Sequence, residues 1–342
     1  MKKFTTVLLA VGIAILFTAC GNKDNKNVSK SISMVADVGT VNDKSFNQSA
    51  WEGLQEFKRK TGVDVYYLDS TQTSDYKTNL EKLTDNADDL IWGIGNTFAD
   101  DILAIANANP ASNYAIADYN YDGDIPGNVT AVGFKSQEPA FLVGYVAGKS
   151  TKTNSVGFVG GSPNPIIQQF QYGYEAGVQY AAKEIGKSIE VKCKYADTFS
   201  DSAKGKAIAL NLYTVENCDI IFHAAGDTGK GVIEKAKELN KYVIGVDRDQ
   251  SSEAPDNVLT SALKLVGKAV QNVCQKFING ENIGGQNFVF GIKEGCAGIP
   301  DTNKNINSEV YADTMKVQDK IISGELEVPS TKNGYEAFVN AL

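Results

Sequence analysis

The chain has 342 residues, 42% of them hydrophobic and 22% charged, an ordinary globular composition with room for two lobes of roughly 100–200 residues each. Lys and Arg total 33 against 41 Asp and Glu, for a formal charge of −8, and Arg59 and Arg248 are the only arginines. So acidic and Arg-poor a chain is unsuited to nucleic-acid or phosphate recognition, which wants clustered Arg and Lys, and the single histidine, His223, leaves little room for triad or multi-His metal chemistry.

At the N-terminus, Met1-Lys2-Lys3 is a positive n-region. Residues 4–17 are apolar but shorter than the ~20 residues that span a bilayer. Thr18-Ala19-Cys20 then resembles a bacterial lipobox, with Phe17 where leucine is usual. Residues 1–19 are thus expected to be a signal peptide cleaved before Cys20, with lipid on the Cys20 sulfur. Loss of Lys2 and Lys3 takes the charge from −8 to −10. Each buried acyl CH₂ adds about 0.8 kcal/mol of membrane affinity. Residues 20–30, rich in Asn, Lys and Ser, read as a flexible tether.

Strand and helix then alternate. The apolar run at 32–36 predicts a buried strand. Phe46, Ala50, Trp51, Leu54 and Phe57 have helical spacing, and Ser45 with Gln48 reads as a capping box that starts the helix at Phe46. Strands are expected at 63–68, 90–94, 114–117 and 130–134, with helices at 76–85 and 99–107 between them. A second series runs through a helix at 138–148, a strand at 155–159, a long helix at 166–185, a strand at 189–194, a helix at 203–216, and a βαβ unit at 220–223, 229–239 and 242–246. A strand end and helix at 258–279, a strand at 288–291 and a final helix at 310–323 complete the chain. The repeated βα rhythm argues for doubly wound parallel sheets in two lobes. The two series predict lobe 1 at 31–134 and lobe 2 at 135–250, and the sequence alone does not show which lobe the segments after 250 join. Right-handed crossovers put the loops at Asp37, Asn96 and Asp118 along one sheet edge, and those at 197–201, 225–229 and 247–250 along the other. Small ligands bind at such carboxyl edges.

Taken as residues, these loops leave two readings open. Asp37 shapes a turn or accepts hydrogen bonds from a ligand, and Phe46 staples the helix or offers a flat apolar face. Phe199, in a polar loop, is a surface or hinge plug or a ligand platform. Gly226-Asp-Thr-Gly-Lys-Gly231 fails as a phosphate loop, because Ala224 and Gly231 stand where Gly and Ser or Thr are required. It reads as a tight turn in which Gly226 lets a ligand approach the backbone. The Gly160-Gly161 run reads as a plain turn. Lys264 reads as a solvated helix residue, and His223, in an apolar strand, as a hydrogen-bonded core histidine. Cys193, Cys218, Cys274 and Cys296 form no CxxC pair, so no metal site is expected. They are buried thiols or disulfide partners, with no pairing to be read from spacing.

The D-x-G at 37–39, D-K-S-F-N at 43–47 and W-E-G at 51–53 together resemble the signature of the basic membrane protein family. These are substrate-binding lipoproteins of ABC importers, a purine nucleoside receptor among them. The likeness runs over nearly the whole mature chain. It implies an α/β type I periplasmic-binding-protein fold, two lobes joined by a three-segment hinge, with part of 251–292 joining lobe 1 and part of 293–342 joining lobe 2. It implies that Phe46 and Phe199, from opposite lobes, sandwich a purine. I-G-V-D-x-D-Q at 244–250 puts Asp247 where the family has a ribose-binding carboxylate, and T-S-x-x-K at 260–264 makes Lys264 a sugar contact. Asp118 is then the corresponding first-lobe carboxylate, and Asn96 reads the purine edge with its amide.

The expected function is a non-enzymatic, lipid-anchored receptor on the outer face of a cell membrane. It would bind nucleosides, purine nucleosides foremost, and deliver them to ABC permease and ATPase subunits, without a cofactor or nucleic acid. The alternatives are a binding protein for a sugar or autoinducer-like ligand, a surface adhesin or antigen, and a nucleoside hydrolase. The hydrolase would need a positioned base or a metal.

Overall fold

The predicted alternation resolves into two six-stranded sheets in a computed structural model that describes residues 30–38, 40–301 and 304–342. Cys20, the leader and the tether up to residue 29 lie outside the described residues. The first sheet is built from β1 (Ser31–Ala36), β2 (Asp64–Leu68), β3 (Leu90–Ile94), β4 (Asn113–Ala117) and β5 (Val129–Phe134), interleaved with α1 (Phe46–Thr61), α2 (Asp75–Asp85) and α3 (Ala99–Ala108). The chain then crosses into α4 (Gln137–Ser150), β6 (Ser155–Gly160), α5 (Pro165–Ile185), β7 (Glu190–Tyr195), α6 (Ser202–Thr214), β8 (Ile220–Ala224), α7 (Thr228–Leu239), β9 (Tyr242–Asp247) and β10 (Val258–Lys264). It returns through α8 (Val266–Ile278), which packs on α1, to β11 (Gln286–Phe290) at the edge of the first sheet. A third crossing leads to β12 (Ala297–Gly298), α9 (Ser308–Ser323) and α10 (Lys332–Ala341) against the second.

The strand orders are β11-β5-β4-β3-β1-β2 and β12-β10-β9-β8-β6-β7, so the two sheets match position for position. This is the type I periplasmic-binding-protein fold. All pairings are parallel except β10 with β12, an antiparallel edge that the βα rhythm did not announce. A further difference concerns the C-terminal part. The final predicted helix is α9, but α10 follows it, and its Phe338 meets Phe141 edge-on at 5.8 Å. That helix buries none of its own residues completely, so its apolar signal is weak.

Each sheet is covered on both faces, as a parallel sheet requires. Along β1, Ile32, Met34 and Ala36 enter the core beneath α1 and α8, while Val35 enters the core beneath α2 and α3. The period of two in the strand sequence is thus spent on two different cores. In the second sheet the corresponding layers are α4 and α5 on one face and α6 and α7 on the other. Every residue of α4 from Glu138 to Gly148 is buried, which explains an apolar sequence on all sides of that helix.

His223, in β8, is fully buried, and burial depresses its pKa to about 4. Its ring nitrogens make no hydrogen bond of standard geometry, and Gln250 is the polar neighbour. The four cysteines among the described residues are free thiols, three of them buried and Cys193 half-buried.

Two outcomes test this packing. At the α1–α8 crossing a Cβ on Gly53 would run into the backbone of Gly267. Gly53→Ala, which should gain roughly 1 kcal/mol of helix propensity, is therefore expected to destabilise by about 1–3 kcal/mol, read as a lower urea midpoint. Because the folded pKa of His223 is depressed, its stabilising contribution is full above the unfolded value of 6.5 and is lost as pH falls toward 4. From about pH 7 to about pH 4.5 the wild type should lose about 2 kcal/mol more than His223→Gln does, measured by urea melts at both pH values.

Candidate functional site

A cavity of about 380 Å³ lies between the two sheets, and all eight residues singled out in the sequence line it: Asp37, Phe46, Asn96, Asp118, Phe199, Gly226, Asp247 and Lys264. The reason is topological. Asp37 follows β1, Asn96 follows β3, Asp118 follows β4, Phe199 follows β7, Gly226 follows β8, and Asp247 and Lys264 end β9 and β10. Each is at the carboxyl end of its strand, and the two carboxyl edges face one another.

Lys264 differs most from its reading as a residue. It is the last residue of a buried strand, not a solvated helix position, and its side chain is 3% exposed. Its Nζ lies 2.6 Å from Asp118 Oδ2. It also stands 4.9, 5.3 and 5.4 Å from the ring centroids of Phe46, Phe134 and Phe170. Aromatic faces and a carboxylate replace the hydration that the ammonium gives up. Asp118 and Asp247 both have left-handed backbone, φ 69° and 66°, a conformation that Asp tolerates better than most residues. Burial raises the pKa of Asp247, and the nearby Lys264 acts against that rise.

The loop before α1 is organised differently from the predicted capping box. The Ser45 side chain makes no cap bond. Asp43 does the capping instead, accepting Ser45 N–H (2.8 Å) and Gln48 N–H (3.1 Å) on Oδ1 and Asn47 N–H (2.8 Å) on Oδ2. Ser and Asp are both good caps, and sequence cannot choose between them when they stand two apart. Burial pushes the Asp43 carboxyl up to about 7 against those three donors. Asn47 then bridges two acids, donating to Asp37 Oδ1 (2.6 Å) and Asp43 Oδ2 (3.2 Å), and its own oxygen accepts Asp37 N–H (3.2 Å). The Ser45 hydroxyl instead donates to Asp247 Oδ2 on the other lobe.

Several lining residues were not anticipated. Phe170, on the apolar face of α5, carries the same periodic signal as its core neighbours. Tyr76 reaches the cavity from α2 while stacked on Phe98 at 4.1 Å. The Gly160-Gly161 run is more than a turn. Ser162 and Asn164 line the cavity, and Asn164 Oδ1 caps α5 by accepting Ile166 and Ile167 N–H, each at 3.0 Å. The Asn-Pro pair at 164–165 was a helix-start signal that could have been used. Gly161 is required because a Cβ there would collide with the Phe199 ring. Gly226, at φ 54°, packs against the same residue from the other side.

Two equivalent lobes with an acidic, aromatic cleft between their strand ends define a solute-binding protein. The model of the PnrA-like ABC transporter substrate-binding proteins, Bmp, matches residues 30–332. Basic membrane protein A of Borreliella burgdorferi is 40% identical over 338 residues, covering 97% of this chain and 98% of that protein. The CD4+ T-cell-stimulating antigen of Listeria monocytogenes is 38% identical over 361 residues, covering 96% and 99%. Among solved structures, an ABC transporter solute-binding protein from Aeropyrum pernix K1 superposes with a TM-score of 0.82 at 25% identity, covering 91% of this chain and 98% of that one. One from Conexibacter woesei shares the fold at 0.71 and 21%, covering 88% and 99%. The chain belongs to the Bmp family of PnrA-like ABC transporter substrate-binding proteins.

Replacing the buried cation isolates its contribution. Lys264→Met leaves Asp118 and Asp247 together without it and is expected to cost roughly 3–5 kcal/mol of stability, seen as a lower midpoint in urea.

Proposed function

We propose that this chain is an extracytoplasmic receptor, anchored by lipid on Cys20, that binds nucleosides and passes them to an ABC permease and its ATPase, with purine nucleosides preferred. The observation that carries this reading is that Phe46 and Phe199, one from each lobe, line the same cavity as Asp118, Asp247 and Lys264. Two rings around a flat base contribute about 1–3 kcal/mol each, a large part of the about −8 kcal/mol that micromolar binding requires. The carboxylates accept the ribose hydroxyls and Lys264 donates to them. Asn96 and Asp37 meet the edge of the base, and Gly226 admits it close to the backbone.

The charge of the cleft supports nucleoside over nucleotide. Among the described lining residues Asp37, Asp118 and Asp227, with the buried Asp43 and Asp247 whose burial favours their neutral forms, stand against the cation Lys264, and a phosphate would add anions to a poorly hydrated acidic site. Closure of lobe 1, built on the first sheet with β11, on lobe 2, built on the second sheet with β10 (Val258–Lys264) and β12, is the change the permease would read. Among the described residues no helix is long and apolar enough to cross a membrane. The chain acts by binding and not by turnover, so inosine incubated with it is recovered intact.

Thermal-shift measurements decide the ligand. Adenosine, guanosine and inosine are expected to raise the melting temperature, by an amount equivalent to about 2.7 kcal/mol when ligand is at a hundredfold excess over Kd, and AMP is expected to leave it unchanged. A larger shift with ribose than with guanosine would replace the nucleoside by a sugar. Phe46→Ala and Phe199→Ala should each weaken binding about tenfold or more, measured by titration calorimetry.

A further inference from the structure

The loop before α1 makes a set of bonds to the other lobe that the cleft's ligand contacts do not explain. Gln250 Nε2 donates to Lys44 O at 3.0 Å, Lys230 Nζ donates to Asn42 O at 3.1 Å, and Arg248 lies 3.6 Å from Glu52. The Lys230 and Arg248 contacts lie at the exposed rim, where such contacts are weak. The Ser45–Asp247 bond is of another kind. Ser45 is fully buried, Asp247 is 6% exposed, and a hydroxyl donating to a carboxylate without competing water is among the stronger hydrogen bonds available.

A buried serine just before a helix is ordinarily its cap. Here that duty has passed to Asp43, which also fixes Ser45 by accepting its N–H. The hydroxyl is therefore left for the other lobe. Asp247 in turn ends β9 with left-handed backbone and lines the cavity. The bond joins the residue preceding Phe46 to a carboxylate of the opposite wall.

We infer that Ser45 is a latch and positioning residue: by donating to Asp247 across the cleft, its hydroxyl holds the lobes closed and sets that carboxylate against the ligand, so that closure and assembly of the site are one event. Asp37, Asn47, Asp43, Ser45 and Asp247 then form one continuous hydrogen-bonded chain from the first lobe to the second. Gln250 supports the latch through a backbone carbonyl, which no substitution of the first-lobe loop's side chains removes.

The test compares wild type, Ser45→Ala and Ser45→Thr, each checked for folding by circular dichroism. Small-angle scattering is recorded on ligand-free protein, and inosine release is followed by fluorescence of Trp51, which neighbours Glu52 in α1. Ser45→Ala should show a larger radius of gyration and at least tenfold faster inosine release with little change in association rate, and Ser45→Thr should restore both. Ser45→Ala that scatters like wild type, or that releases inosine at the wild-type rate, overturns the latch. So does Ser45→Thr behaving like Ser45→Ala. If Ser45→Ala does not fold, Ser45→Cys, a near-isostere with a weaker donor, must fall between wild type and open, and a wild-type profile overturns the inference. The ligand arm rests on the nucleoside reading. If wild type itself ignores inosine, that reading fails, and the scattering of ligand-free protein alone decides the latch.

Discussion

The cleft is organised by one buried ammonium. Lys264 comes from the fifth strand of the second sheet, pairs with Asp118 at the end of the fourth strand of the first, and lowers the cost of burying Asp247 at the end of the fourth strand of its own sheet. Removing three charged groups from water is expensive, and the attraction between them repays it only when geometry and further contacts are good. The rings of Phe46, Phe134 and Phe170 around the ammonium, and the Ser45 hydroxyl on Asp247, supply those contacts. The arrangement has an internal symmetry. Strands β4 and β9 hold equivalent places in their sheets, both end in aspartates with left-handed backbone, and each aspartate takes a hydrogen bond from the opposite lobe.

The same arrangement shapes what the cavity can hold. Lys264, the cation among the described lining residues, is already paired with Asp118, so its charge is largely answered within the protein. The acids offer acceptors. The apolar surface combines the rings of Phe46, Tyr76, Phe170 and Phe199 with aliphatic side chains such as Ile166, Ile167 and Val246. This pattern is what the proposed nucleoside reading rests on, a neutral, flat, hydroxyl-rich molecule being better matched to it than an anion. Burial adds a second constraint, because it raises the pKa of Asp43 and of Asp247 and so makes their charged forms sensitive to what lies beside them.

Most of the architecture was legible because a parallel sheet covered on both faces needs short apolar strands separated by helices, and that period is written in the chain. The carboxyl edge followed from the topology, and with it the meeting of loops far apart in sequence. What stayed hidden depended on neighbours that no local pattern encodes. Phe170 has the spacing of a core residue because it is one, and its second duty as a cavity wall comes from where α5 begins. Lys264 looks solvated until the fifth strand is known to be buried on both sides. Ser45 and Asp43 are both plausible caps, and the outcome turns on Asp247, 202 residues away. The antiparallel edge at β12 involves only two residues, too few for any period to appear.

The two aromatic walls at Phe46 and Phe199 are held by opposite means, and this bears on how the cleft forms. Phe199 is set by absence of side chains. Gly161 and Gly226 bring bare backbone against it from the loops after β6 and β8, and Thr228 N–H bonds its carbonyl at 3.0 Å. All of these partners belong to the second lobe, so that wall is complete without the first. Phe46 is set by charge. It opens α1 behind the Asp43 cap and lies under Lys264, whose ammonium arrives from the other lobe. A cation over a ring contributes about 0.5–2 kcal/mol depending on its exposure, and this one is buried. One wall is thus built within its own lobe, while the other takes its ammonium from the opposite one. In this arrangement both rings, the lysine and both strand-end acids line one cavity.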